Sequence, residues 1–327
     1  QELPRLGVEL KLDVSSALRE RSEQRSTHRV AAEKGEAARA PAPPCEDAAS
    51  SCEVCAPMMN SLRRLHAPLR RGLSTVAPKG QIAVVRRLST AAPKGQIAVV
   101  LSGSGVYDGS ECTEAVAALV HVSRAGYTPV CFAPDKEQHH VVDHTTGDEQ
   151  PAPRNSLVES ARIARGAVKP LADLDAYGFA ALVVPGGFGA AKNLCNHATV
   201  AQGDASKMVV DADLEAAIKA FHAAKKPIGM CCIAPVIAAH VLKATVTVGE
   251  AEGAKWPYGG TVGAIEAYGG THQAAPFDGV CVDAENMVVT SPAYMYEGQP
   301  HEVFDSVGVM VSETLRLQTL QVSERLR

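Results

Sequence analysis

From Gln96 onward the chain alternates short apolar runs, rich in β-branched residues, with longer stretches in which apolar positions return every three or four residues. The runs at 96–101, 128–133, 179–184, 227–231 and 244–248 predict strands, and 279–283 with 286–290 predicts a later hairpin. The longer stretches at 111–125, 155–165, 211–224, 233–242, 258–268 and 302–318 predict helices. Apolar strands between helices imply a mainly parallel α/β sheet covered on both faces. Sites in such sheets form beyond the carboxyl ends of the strands, so the informative loops follow residues 101, 184 and 231.

The stretch Lys226-Pro227-Ile228-Gly229-Met230-Cys231-Cys232-Ile233-Ala234-Pro235 reads as a buried strand turning sharply into a helix, with a thiol on the turn. Free N–H groups and the positive dipole end of the helix are conditions that lower a thiol pKa and make a nucleophile. Side-chain alternation sends Cys231 to the opposite face, into the core, and leaves Cys232 on the exposed turn. The plainer alternative is two ordinary buried thiols.

The loop after the first strand, Ser102 to Glu114, is rich in glycine, but the third glycine of a dinucleotide fingerprint is missing and acidic groups at the helix start repel a pyrophosphate. Glu111 and Glu114 share one side of the first helical turn, where either can face the elbow as an acid or base or simply favour the positive helix end. In the loop after the third predicted strand, Pro185 to Leu194, the adjacent Gly186 and Gly187 let backbone approach a ligand closely and aim an N–H at it. All three loops lie at one sheet edge under the predicted topology. His139, His140 and His144 read as a polar loop beside the site, with His144 the best candidate to line it; without a companion carboxylate or cysteine cluster they predict no metal. His240 and His272 are read as structural, and Trp256 as core packing.

Ahead of this region the composition changes twice. Residues 1–57 are charged and proline-containing and predict a disordered extension. Residues 58–93 lack acidic side chains and accumulate Arg63, Arg64, Arg70, Arg71, Arg86 and Arg87 beside Ser, Leu and Ala, the composition of a mitochondrial targeting segment. A tandem repeat spans both sides of that boundary: Leu73 to Val85 is copied at Leu88 to Val100, and only the second copy runs into the predicted core. The globular domain is therefore placed at 94–320, with a tail at 321–327. The net charge of -4 gives no basic field for nucleic acid, and no apolar run approaches the length of a membrane span. Nine cysteines without regular spacing point to a reducing compartment, and Cys52-Glu53-Val54-Cys55 lacks the second ligand pair of a zinc site.

Taken together, Ser102 to Glu114, Phe132 to Asp135, Arg154-Asn155 with Ser160 to Gly166, Val184 to Leu194, Lys226 to Pro235 and Thr290 to Met295 resemble the ElbB/ES-one family. That family lies in the PfpI branch of the class I glutamine amidotransferase-like superfamily, and its vertebrate members are mitochondrial. The resemblance implies a nucleophile at Cys232, a carboxyl partner at Glu114 and oxyanion-type N–H donors at Gly187 and Ile233. It also implies chemistry similar to that of glutathione-independent glyoxalases, which convert glyoxal to glycolate without a cofactor. A glutamine amidotransferase fits worst, because His301-Glu302 lacks the intervening residue of that His-x-Glu motif and no synthase domain follows. Ile233 stands where protease-like members carry a histidine. The reading expects a flavodoxin-like three-layer sandwich with a cysteine elbow, a small aldehyde as substrate, no metal, nucleic-acid or membrane partner, a homodimer as the assembly it allows, and a mitochondrial location. A non-catalytic or redox-sensing protein that keeps the elbow is the alternative.

Overall fold

The computed structural model describes residues 93–325. The extension at 1–57, the first repeat copy, the basic segment before Pro93 and Cys52 with Cys55 lie outside the described residues. Strand β1 (Gln96–Val100) is the second copy of the repeat, and after Gln96 every residue is buried. Helix α1 (Cys112–Arg124) follows, then β2 (Thr128–Ala133), α2 (Ser156–Ile163) and β3 (Val168–Pro170). Next come β4 (Ala181–Val184), the short α3 (Phe188–Lys192), α4 (Ala212–Ala223), β5 (Ile228–Cys231) and α5 (Pro235–Leu242). The chain continues through β6 (Thr245–Val246), α6 (Thr261–Ala267), β7 (Thr271–His272), β8 (Cys281–Asp283), β9 (Val288–Ser291) and α7 (Pro300–Arg325).

Seven strands form one sheet in the order β3-β2-β1-β4-β5-β9-β8, parallel throughout except for β8, which runs antiparallel to β9. The chain winds outward from β1 to β3, then restarts on the other side of β1 with β4. That reversal opens a crevice between β1 and β4, where a doubly wound sheet holds its site. Helix α1 packs along α7, and α4 along α5, which covers the two faces and gives the flavodoxin-like three-layer arrangement.

Local chemistry explains most element ends. Asn155 and Asp211 accept N–H bonds from the first turns of α2 and α4, and Pro235 starts α5 where its missing N–H costs nothing. Along α7, Val303, Val307, Met310, Val311, Thr314 and Leu317 form a buried stripe at helical spacing. Gly229 lets that stripe sit directly on β5, since a Cβ there would lie 2.5 Å from Met310 Sδ and 2.6 Å from Thr314 Oγ1.

Four features differ from expectation. The strand expected at 244–248 is two residues long and pairs in parallel with β7 in a separate small sheet. Strand β3 is a three-residue edge ending in proline, too short to leave a periodic signal. A π-helical turn, His197–Ala201, also lacked one. The tail expected from residue 321 is mostly helix, because α7 continues to Arg325.

Candidate active site

Strand β5 ends at Cys231, and the chain leaves it through Cys232 at φ +59. A non-glycine residue in the left-handed region is held there at a cost of about 1–2 kcal/mol by its surroundings. Those surroundings are visible: Cys232 N donates to Ser291 O at 3.1 Å, continuing the β5–β9 ladder while the side chain turns off the strand. Nearby, Ala293 also has positive φ, at +45, and is wholly buried.

Glu114 reaches this corner from α1. Glu111 is not in the helix, as the shared-face reading placed it; it is the N-cap, and its Oε2 accepts the Glu114 N–H at 2.8 Å. An acidic residue at the position of Glu114 commonly folds back on the cap residue. Here the Glu111 N–H instead donates to Gly186 O at 3.1 Å, which leaves the Glu114 carboxyl free to face the sheet edge. Glu114 Oε2 accepts from Gly186 N at 2.9 Å and Oε1 from Tyr294 N at 3.2 Å, with no exposure of the side chain.

Gly186 is the junction. A Cβ there would lie 2.5 Å from Cys232 Cβ, 2.8 Å from Glu114 Oε2 and 3.0 Å from Cys231 O. Only glycine lets the three elements close on one another. Gly187 follows at φ +91, and a Cβ there would meet Glu111 N at 2.3 Å. Both positions require glycine for close approach.

Two sulfurs border the carboxyl. Cys231 Sγ lies 3.8 Å from Glu114 Oε2, so its side chain does not avoid the site as strand alternation predicts; it is buried beneath the carboxyl. Cys232 closes on Glu114 across Gly186, and the N–H groups of Gly187 and Ile233 favour its thiolate while Glu114 opposes it. The expected lowering of the thiol pKa is not what these surroundings produce. Burial pushes Cys232 well above the usual thiol range and an ionised Glu114 adds to that, outweighing the two N–H groups. Burial likewise raises Glu114, with the Glu111 charge next in size, to about 8. A protonated Glu114 no longer repels a thiolate and can donate a hydrogen bond to it. At neutral pH both groups therefore hold their protons for most of the time, and the thiolate is favoured only while Glu114 keeps its own.

Gly186, Gly187 and Ile233 thus meet Cys232 and Glu114 at one point, whereas His144 does not join them. Its Nε2 accepts from Tyr107 N at 3.2 Å and its Nδ1 donates to Val142 O at 3.0 Å, on the exposed side of the 102–111 loop. His301 is exposed, and Glu302 accepts from Gln299 N at 2.7 Å. Two residues were not picked out from sequence. Tyr294 holds Glu114 through its backbone N–H. Asn193, buried, donates to Ser102 O and Asp108 O at 2.9 Å each and accepts from His139 N at 2.9 Å, tying three loops together. A backbone donor and an amide clamp leave no sequence pattern. Among the described residues, no group of three or more His, Cys, Asp or Glu side chains gathers as a metal site, and no helix is long and apolar enough to cross a membrane.

The doubly wound sheet and the cysteine elbow against a buried carboxyl define a protein of the class I glutamine amidotransferase-like kind. Within it, the chain belongs to the ES1 family. Over 222 residues it is 50% identical to the mitochondrial ES1 protein homolog of Rattus norvegicus, covering 67% of this chain and 82% of that protein. It is also 50% identical to the human mitochondrial protein named glutamine amidotransferase-like class 1 domain-containing protein 3, covering 67% of this chain and 81% of that one. An Ehrlichia chaffeensis structure, described as an isoprenoid biosynthesis protein with an amidotransferase-like domain, superposes with a TM-score of 0.61 at 34% identity, covering 68% of this chain and 99% of that one. No family model matches the chain. The relatives' names carry the mitochondrial location that the basic segment implies.

Proposed function

We propose that this protein is a cofactor-independent cysteine enzyme acting on small reactive carbonyls in the mitochondrion, of the type that converts glyoxal to glycolate. The observation that carries the reading is the buried Glu114 carboxyl, raised to about 8, packed across Gly186 against a positive-φ Cys232 whose thiolate the N–H groups of Gly187 and Ile233 favour. Cys232 is only 8% exposed and Glu114 fully covered, which limits the substrate to a few atoms.

In this reaction the Cys232 sulfur adds to one carbonyl carbon of glyoxal, and the oxyanion takes up a proton to give a hemithioacetal. Glu114, as carboxylate, removes the C–H proton from that carbon, and the neighbouring carbon is protonated in turn, which leaves a hydroxyacetyl thioester. Water attacks the thioester carbonyl, releasing glycolate and restoring the thiol. On this reading the Gly187 and Ile233 N–H groups stabilise the negative charge as it develops. The sum is glyoxal plus water to glycolic acid, with no net oxidation.

Incubating the protein with glyoxal and following glycolate tests the reading. Wild type is expected to produce it and Cys232→Ser to lose at least about 100-fold in rate. Absence of turnover in wild type, or equal turnover in the variant, removes the enzyme reading and leaves a non-catalytic protein that keeps the elbow.

A further inference from the structure

Helix α7 carries five hydroxyl side chains, and four of them turn back on their own helix. Ser312, Thr314, Thr319 and Ser323 donate to the carbonyls of Gly308, Met310, Leu315 and Thr319, each four residues earlier, at 2.8 to 3.0 Å. Ser306 does not, although the same bond is open to it. Its Oγ is buried and has no hydrogen-bond partner among the described residues. Ser291, the last residue of β9, is alike: it is wholly buried and its Oγ is also without a partner among them.

Register and helical spacing bring these two hydroxyls to one place. Met310 and Thr314 sit over Gly229 of β5, and α7 runs down the sheet from there, since Gln318 accepts from the Tyr127 hydroxyl just ahead of β2. Ser306 stands one turn above Met310, about 5–6 Å. Cys231, paired with Ser291, stands two residues above Gly229, about 6–7 Å, so the three share a level. Phe304 and Gly308 face His121 of α1. Ser306, midway between them in sequence, falls on the opposite flank of the helix at about 100° per residue. Because α7 rests on both β5 and β9, that flank leans over β9, where Ser291 lies. A buried hydroxyl without a partner is costly, and two that face one layer without bonding each other are the arrangement that a single bridging molecule satisfies.

We propose that Ser291 and Ser306 bind one internal water molecule, which fastens the end of β9 to α7. Two hydroxyls select a small neutral ligand that both gives and takes hydrogen bonds. The fastening reaches the site through the backbone. Ser291 O takes the Cys232 N–H, and three residues on Tyr294 N donates to Glu114 Oε1, so one short segment holds both members of the pair and the water holds that segment.

The inference deepens the proposed function by naming what steadies its site, and its test leaves turnover aside so that the two can fail separately. A crystal structure of the protein at about 1.6 Å or better is expected to show one ordered water within about 3.2 Å of both Oγ atoms. In solution, Ser291→Ala and Ser306→Ala should each lower the urea midpoint of unfolding by about 0.3–0.5 M. The double variant should fall no further than the lower single one, because either change releases the same molecule. By hydrogen exchange, the Cys232 and Tyr294 amides of Ser306→Ala should gain about threefold more in rate than the amides of β1, although residue 306 bonds to neither. Hydroxyls bonded directly to each other, a midpoint that alanine leaves unchanged or raises, losses that add in the double variant, or an equal gain in exchange across the sheet would each overturn the proposal. Glycolate formation, present or absent, bears only on the proposed function.

Discussion

The Cys232–Glu114 pair and the His197–Tyr268 pair are both buried pairs of titratable groups, and they treat the proton in opposite ways. His197, in the π-helical turn, is lowered by burial to about 4, and Tyr268 is raised by burial to about 12. Gly203 N donates to the Tyr268 oxygen at 3.0 Å, so the hydroxyl donates in turn to His197 Nδ1 at 2.8 Å. Both groups are neutral across the physiological range and their bonds are complete, which is what a structural cluster needs. Glu114 is held near 8 by burial and a like charge, beside a thiol on strained backbone. Burial alone does not separate a structural group from a chemical one. What separates them is whether the surroundings move the proton equilibrium away from neutrality or leave it there.

The largest way to break that contrast is pH. A carboxyl raised from 4.5 to about 8 contributes stability that is complete below about 4.5 and lost as pH rises through about 8. Glu114→Gln removes this dependence, so the unfolding free energy of the variant should gain on wild type with rising pH, by on the order of 4 kcal/mol between pH 4.5 and 8. Denaturant titrations at several pH values check it, and a constant difference would mean that Glu114 is ionised throughout. Next in size, Gly186→Ala forces a Cβ to 2.5 Å from Cys232 Cβ and should cost about 2–4 kcal/mol while changing the Cys232 alkylation rate. Stability lost without a change in alkylation would detach that glycine from the site. Smallest, Tyr268→Phe leaves His197 Nδ1 and the Gly203 N–H without their partner, for about 1–3 kcal/mol. It should leave Cys232 alkylation as in wild type; a change would join the two clusters that the comparison separates.

Much of the architecture could be read before any coordinates. The runs at 97–100, 131–133, 181–184 and 228–231 are buried throughout in a parallel sheet and so are apolar without interruption, a pattern that survives in one dimension. The cysteine elbow, Glu114 and the glycine pair were legible for a related reason: a parallel sheet brings the ends of its strands to one edge, so loops far apart in the chain can be assigned to one place. For His144 a loop position left open the direction of the ring, which bonds Tyr107 N and Val142 O.

By itself, then, the amino-acid order determined most of the longer elements, the mainly parallel class of the sheet and the residues that could meet at its edge, because hydrophobic period and turn chemistry act locally. Only the tertiary structure decided the ionisation of that meeting point, the turning of Cys231 beneath Glu114, and the use of Tyr294 and Asn193 as fasteners. Desolvation and charge coupling depend on distances between segments as much as 180 residues apart, and no local pattern encodes them.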